Sequence, residues 1–187
     1  EVAHCDHEGC DEIDTKTIEN SKLGHNFVDG KCTNCQCNEF SEGLEYYFEI
    51  DENDEAGIVI TGLGTCTDRD IIIPEKLRGL PVVAVNFYYS IDIDSIYIPK
   101  TVRSIRRINS SSLKEVILDE ECALEELGYE AFRWCTSLES ISLPQSCQKI
   151  GNYAFADCTS LKHINLDFVV EIGQYAFYDC ASLEYVS

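Results

Sequence analysis

The chain has 187 residues, enough for one compact domain or a repeat array with an appendage, and 44% of them are apolar, too many for a disordered acidic tail. Its 14 Lys and Arg against 34 Asp and Glu give a net charge of −20, so the average surface repels nucleic acid and anionic membranes, and nucleic acid is not expected as a partner. No apolar run approaches the roughly 18 residues needed to cross a bilayer, so membrane insertion is not expected either.

The first 37 residues hold five of the eleven cysteines and three of the four histidines, which marks a boundary near residue 40. Within "AHCDHEGC" and "GHNFVDGKCTNCQC", Cys32 and Cys35 have the spacing that lets two thiolates reach one tetrahedral zinc. Cys5 and Cys10 supply the second pair of this candidate set, with His4, His7, His25 and Cys37 as rival ligands. A structural zinc would replace a core too small to form in so short a piece. A disulfide knot and unbridged cysteines are the alternatives. An odd cysteine count leaves at least one sulfur outside any internal disulfide. A thioredoxin-like role is not expected, because that CxxC follows a strand in a βαβ unit and this one does not.

Residues 41–69 read as a β-hairpin lead-in, an N-terminal cap for the remainder of the chain. The acidic run "DENDEAG", Asp51 to Gly57, superficially suggests a calcium loop, but Gly62 stands where the twelfth-position Glu is required and alternating apolar segments flank the run. A solvated hairpin turn is expected instead.

From residue 70 to 187 the chain repeats. "LGYEAFRWCTSLESISLP", "IGNYAFADCTSLKHINLD" and "IGQYAFYDCASLEYVS" carry Phe132 to Phe155 to Phe177, Cys135 to Cys158 to Cys180 and Leu138 to Leu161 to Leu183, at offsets of 23 and then 22 residues. Upstream, Leu113, Val116 and Leu118 repeat Ile93, Ile96 and Ile98 in a degraded frame without the Ala-Phe or the cysteine, and Ile71 and Ile73 of "DIIIP" fit a first strand. Pro74, Pro99 and Pro144 close strands, where a missing N–H is tolerated. One coil buries too little apolar surface to offset the ordering of its backbone, whereas stacked coils share strand hydrogen bonds and cover each other's broad faces. Each coil therefore reads as a short parallel strand, an outer turn, and a short helical piece around "YAF". The fold class expected is a repeat solenoid, α/β with short parallel strands. "SLEYVS" stops inside a strand, which reads as a solenoid truncated at its C-terminus. Its uncapped coil would invite end-to-end self-association.

The pattern "IGxYAFxxCxSLxxIxLP" closely resembles the BspA-type leucine-rich repeats of bacterial surface proteins, over roughly residues 70–187. The segment around "GLEYYFEI" and "IVITGLGTCTDRDIIIP" is similar to the lead-in of such proteins, and "GHNFVDGKCTNC" resembles short His/Cys modules that precede domains in Gram-positive surface proteins. The resemblance implies an extracellular or cell-surface, non-catalytic binding or adhesion protein. Its partner would be a protein or glycan on a host or neighbouring cell.

The repeat frame also sorts the remaining cysteines. Cys135, Cys158 and Cys180 share one slot with no fixed-spacing base or co-ligand beside it, so a packing column is expected rather than a thiol relay or metal ladder. Cys122 and Cys147 fall in a second column with Val102 and Val170, where cysteine stands in for valine and a Cys122–Cys147 disulfide is the alternative. Cys66 lies in the lead-in loop. No catalytic residues and no catalytic cofactor are expected. With Ile and Leu inward, one outward column runs Ile72, Tyr97, Ile117, Ser142, Asn165, and a second runs Ser95, Glu115, Ser140, His163, Tyr185. Exposed Tyr and aliphatic residues on a strand face favour partner contact. The alternatives to a binding module are a rigid spacer of a larger surface protein and, last, a thiol-dependent enzyme.

Overall fold

The computed structural model of the protein describes residues 41–51 and 53–186, together with the backbone of four two-residue strands nearer the N-terminus. The side chains of Cys5, Cys10, Cys32, Cys35, His4, His7, His25 and Cys37 lie outside the described residues, as does that of Tyr185. The chain divides into two units, Glu1–Glu42 and Gly43–Ser187. In the first, Ala3–His4 pairs antiparallel with Ile13–Asp14, and Phe27–Val28 with Lys31–Cys32.

The second unit is a β-solenoid whose coils each contribute two short strands, one to each of two parallel ladders. The first ladder begins with Asp70–Ile72, Ser95–Ile98 and Glu115–Leu118, in the register Ile71, Ile96, Val116. It is followed, without strand pairing between Glu115–Leu118 and the adjacent Ser140–Ile141, by a second three-stranded run of Ser140–Ile141, His163–Ile164 and Tyr185–Val186. The second ladder runs through Leu80–Asn86, Ser104–Arg107, Glu126–Leu127, Lys149–Ile150 and Glu171–Ile172. Alternate inward Ile, Val and Leu residues account for both. Ile71, Ile96, Ile141 and Ile164 face the core from one side, and Val85, Ile105, Leu127 and Ile150 from the other, all buried.

The lead-in hairpin is Glu45–Ile50 against Ala56–Gly62, and the second of these strands pairs parallel with Leu80–Asn86, so the hairpin extends the second ladder at its N-terminal edge. Between the hairpin strands the Asp51 carboxylate accepts the Asn53 and Glu55 amides at 2.8 and 3.0 Å. With Asp51 Oδ1 committed to the turn, Oδ2 facing Arg103 at 3.7 Å and Gly62 in a strand, "DENDEAG" is a hairpin turn, as its missing Glu implied.

The expected helical piece around "YAF" is absent: no helix occurs among the described residues, and turns replace it. The backbone bonding explains why. Glu130, Phe132 and Trp134 donate their N–H groups across to Asn152, Ala154 and Ala156 of the next coil, at 3.0, 2.7 and 3.0 Å. Tyr153, Phe155 and Asp157 do the same to Gln174, Ala176 and Tyr178. A helix would turn those donors inward to residues four back. The intervening donors instead close local turns, and two residues per coil become left-handed: Glu130, Tyr153 and Tyr175 at one position, Trp134, Asp157 and Asp179 at the other.

Phe132, Phe155 and Phe177 stack with ring centroids 5.4 Å apart at both steps. Upstream, Phe87 donates its N–H to Arg107 and Ile108 to Ala131, as Phe132 does to Ala154, so the degraded coils fill the same slot with Phe87 and Ile108, both fully buried. The cysteine slot of the preceding coil is filled by buried Ser110, whose hydroxyl donates to the Ile93 carbonyl at 3.1 Å.

One expected alignment is corrected. Val170 does not continue the column of Val102, Cys122 and Cys147; it is 81% exposed, and Val169 packs against the core in its place. Val169 donates to Leu166 as Val102 does to Pro99, Cys122 to Asp119 and Cys147 to Pro144. The turn between the two ladders is one residue shorter in this coil. Ile141 pairs with Ile164 before it, while Ile150 pairs with Ile172 after it.

Candidate functional site

Two surfaces stand out on the solenoid. The first is the outward face of the first ladder and the run that follows it, where parts of both expected columns are in register. Ile72, Tyr97 and Ile117 lie side by side, as do Ser95 with Glu115 and Ser140 with His163 and the Tyr185 backbone. Ile72, Tyr97 and Ile117 are half-buried, whereas Glu115, Ser140, Ser142 and His163 are exposed. Tyr97 donates its hydroxyl to the Asp119 carboxylate, and burial first, then that carboxylate, raises its pKa. Asn165 is committed to structure: its amide donates to the Leu143 carbonyl at 3.0 Å and its oxygen accepts the Leu143 N–H at 2.6 Å. It bridges two coils where the strands are only two residues long.

Beside these columns runs a third that the sequence pattern did not reveal: Arg69, Asp94, Lys114, Glu139, Lys162, Glu184. Backbone bonds link Asp94 to Arg69 and Lys114 to Asp94, and Lys162 to Glu139 and Glu184 to Lys162, which fixes the column as two runs of three. Its charges alternate in sign. Arg69 bonds Asp94 at 2.6 Å and also Asp92 at 2.5 Å, Lys114 meets Asp94 at 3.0 Å, and Lys162 meets Glu139 at 2.7 Å. The Arg69 guanidinium, aided by Lys114, holds the Asp94 carboxyl down to about 2. The column is thus balanced within itself, although Asp70 and Glu115 in the neighbouring Ser95 column leave the face as a whole acidic. The signal was available, since each of these residues directly precedes a strand position already aligned.

The second surface follows the second ladder. Gly128, Gly151 and Gly173 form a column that lets coils approach closely: a Cβ on Gly151 would lie 2.6 Å from both the carbonyl carbon and oxygen of Gly128. The glycines floor an open groove of about 550 Å³, rimmed by Asn86, Arg106, Glu126, Lys149, Asn152 and Glu171 and walled by Tyr129. Arg106 is clamped by both Glu49 oxygens, at 2.5 and 2.6 Å, and by the Tyr47 hydroxyl at 3.0 Å. That guanidinium holds the Glu49 carboxyl below its ordinary value. From the groove an aromatic row leads away. Tyr129 meets Tyr153 edge-on at 6.2 Å, and Arg133 lies 5.4 Å from the Tyr153 ring centroid and 4.0 Å from that of Trp134. Arg133 is fixed by Glu130 and, at 3.5 Å, by Asp157, and Arg107 also bonds Glu130.

The repeat cysteines Cys135, Cys158 and Cys180 are unsuited to thiol chemistry. Cys135, Cys158 and Cys180 donate S–H groups to the carbonyls of Ile108, Phe132 and Phe155, one coil back, at 3.1, 3.0 and 3.0 Å. Desolvation pushes the Cys135 thiol up to about 12 and Cys180 to about 11, and raises Cys158 as well. Thiolates, the reactive form, are thereby suppressed near neutral pH. Cys122 and Cys147 are also thiols, directed at the carbonyls of Pro99 and Lys149. Among the described residues no group of three or more His, Cys, Asp or Glu could hold a metal ion.

Residues 81–187 match the family model described as BspA type leucine rich repeat region, in six copies. The chain belongs to that family. Among solved structures it is similar to the T. pallidum leucine-rich repeat protein TpLRR, with 29% identity and a TM-score of 0.60 over 75% of this chain and 67% of that one. It shares its fold with the pneumococcal vaccine antigen PcpA, with 20% identity and a TM-score of 0.59 over 79% of this chain and 48% of that one. No curated protein matches its sequence.

Proposed function

We propose that the chain is a non-catalytic binding module of a bacterial cell-surface protein, and that it recognises a protein partner through the outward face of its first ladder. The observation that carries this reading is the Ile72, Tyr97, Ile117 column, a half-buried apolar and aromatic surface on the same face as a column of ion pairs. A strand face of this kind offers contact area, and the ion pairs along its edge reduce the negative charge that an approaching partner meets. The family match and the likeness to a pneumococcal antigen support the surface location. Raised thiol pKa values and the exposed His163, alone among the repeats, support a role without chemistry.

The test compares fluorescently labelled wild-type chain with Ile72→Ser plus Ile117→Ser for binding to epithelial and bacterial cells. Both side chains point away from the core, so folding, read by circular dichroism, is expected to survive while binding falls at least tenfold. Equal binding by the variant contradicts the strand face, and no binding by either protein favours the spacer reading. For the N-terminal segment, structural zinc on Cys5, Cys10, Cys32 and Cys35 is the companion proposal. A zinc-to-protein ratio near zero in protein purified without added metal contradicts it.

A further inference from the structure

Trp134, the chain's one tryptophan, is 43% exposed and left-handed, at a φ of 63°. The two following coils place Asp157 and Asp179 at this position, with φ values of 63° and 54°. Aspartate tolerates that conformation, and a bulky aromatic is a rare occupant of it. Neither burial nor backbone preference therefore accounts for tryptophan here. Its ring is supported from one side by the Arg133 guanidinium, which Glu130 and Asp157 fix in turn. Tyr153 and then the 57% exposed Tyr129 continue the row into the glycine-floored groove.

The chemistry of this surface is distinctive in its charge. Arg106 and Lys149 rim the groove with Glu126 and Glu171, but Arg106 is already paired with Glu49 and Lys149 lies 4.0 Å from Glu171. Arg107 and Arg133 with Glu130 and Asp157 are paired along the aromatic row. An anionic ligand finds no spare cation there, and a polycation finds an excess of only one carboxylate, counting Glu49. What the surface offers is planar hydrogen-bonding groups, exposed aromatic rings, and backbone that a ligand can approach closely over glycine. An uncharged, hydroxyl-rich molecule with flat apolar ring faces satisfies all three. From this geometry we infer that the groove and the Tyr129–Trp134 row form a binding site for a neutral saccharide chain, whose pyranose faces rest on the aromatic rings and whose hydroxyls meet the Asn152, Glu126 and Glu171 side chains.

The site is separate from the strand face, so the two readings fail independently. Because Trp134 is the sole tryptophan, its fluorescence reports on the site directly. Titration of the full chain with soluble mannan, xyloglucan and laminarin is expected to give a saturable fluorescence change with at least one, and retardation in a native gel containing that polysaccharide. Trp134→Asn restores a residue suited to the left-handed position without adding charge. It is expected to fold with stability equal to or above wild type and to lose retardation at least tenfold, as is Tyr129→Ala at the groove wall. Ile72→Ser plus Ile117→Ser is expected to leave retardation unchanged. The proposal is overturned if none of the three neutral polysaccharides binds, if both aromatic variants bind like wild type, or if polygalacturonate binds as well as they do.

Discussion

Replacing Gly151 by alanine isolates the close approach on which the stacking depends. Gly151 does not adopt a positive φ, so its backbone suits any residue. In open space alanine would therefore stabilise the fold by about 0.4–1 kcal/mol, by restricting the unfolded chain. The added Cβ would instead lie 2.6 Å from the Gly128 carbonyl carbon and oxygen and 3.0 Å from the Leu127 carbonyl oxygen. These are backbone atoms of the neighbouring coil, and no flexible side-chain end can move aside. Relief requires the two coils to separate, stretching the bond from the Gly151 N–H to the Leu127 carbonyl, now 2.7 Å. Overpacking of this kind costs about 1–3 kcal/mol, and its encounter with fixed backbone places Gly151→Ala toward the upper end. For a chain of this size the midpoint should fall by roughly 4–10 °C. Thermal denaturation followed by far-ultraviolet circular dichroism measures it. Gly79→Ala is the contrasting control, since space around Gly79 is open and only its φ of 83° opposes a side chain, so Gly79→Asn should recover most of what alanine loses. An unchanged or raised midpoint in Gly151→Ala would refute the close-approach argument.

Cys158→Ala should lower stability by about 1–3 kcal/mol in urea denaturation, through a small cavity and the lost bond to the Phe132 carbonyl; no measurable loss would contradict a packing role. Cys135, Cys158 and Cys180 should resist a maleimide reagent at pH 7 in native protein and react on unfolding, as mass spectrometry would show; rapid native labelling of Cys135 would contradict its burial. Lys162→Glu should destabilise by breaking the alternating column, and adding Glu139→Lys should restore much of the loss; independent, additive effects would show that the charges do not act as a column. The Asp94 carboxyl, lowered from its ordinary 3.8 to about 2, binds its proton less readily folded than unfolded. Its contribution is therefore complete above about pH 4 and is lost as pH falls from there toward 2, so Asp94→Asn should flatten the stability profile in that window, and an unchanged profile would refute the pairing.

The regular repeats were legible because each slot is chemically constant. Phe132, Phe155 and Phe177 announce the period, and the inward isoleucines announce the first-ladder strands and, within each three-strand run, the register of outward neighbours such as Tyr97 with Ile117 and Ser140 with His163. The second ladder was less legible. Its strands are as short as Glu126–Leu127, too brief for an alternation to show. The "YAF" segment misled for a physical reason: Ala-Phe next to tyrosine has ordinary helix preference, but the left-handed positions and the inter-coil carbonyl acceptors that exclude a helix are set by neighbouring coils. The Val169-for-Val170 shift escaped detection because two adjacent valines fit either register. The aromatic groove was invisible in sequence order, since Tyr129, Arg133 and Tyr153 come together only across coils.

Binding to cells by wild-type chain and by Ile72→Ser plus Ile117→Ser, with folding verified in parallel, tests the central claim most directly. A folded variant whose binding falls at least tenfold is the expected result; a folded variant that binds like wild type would contradict recognition through the first ladder.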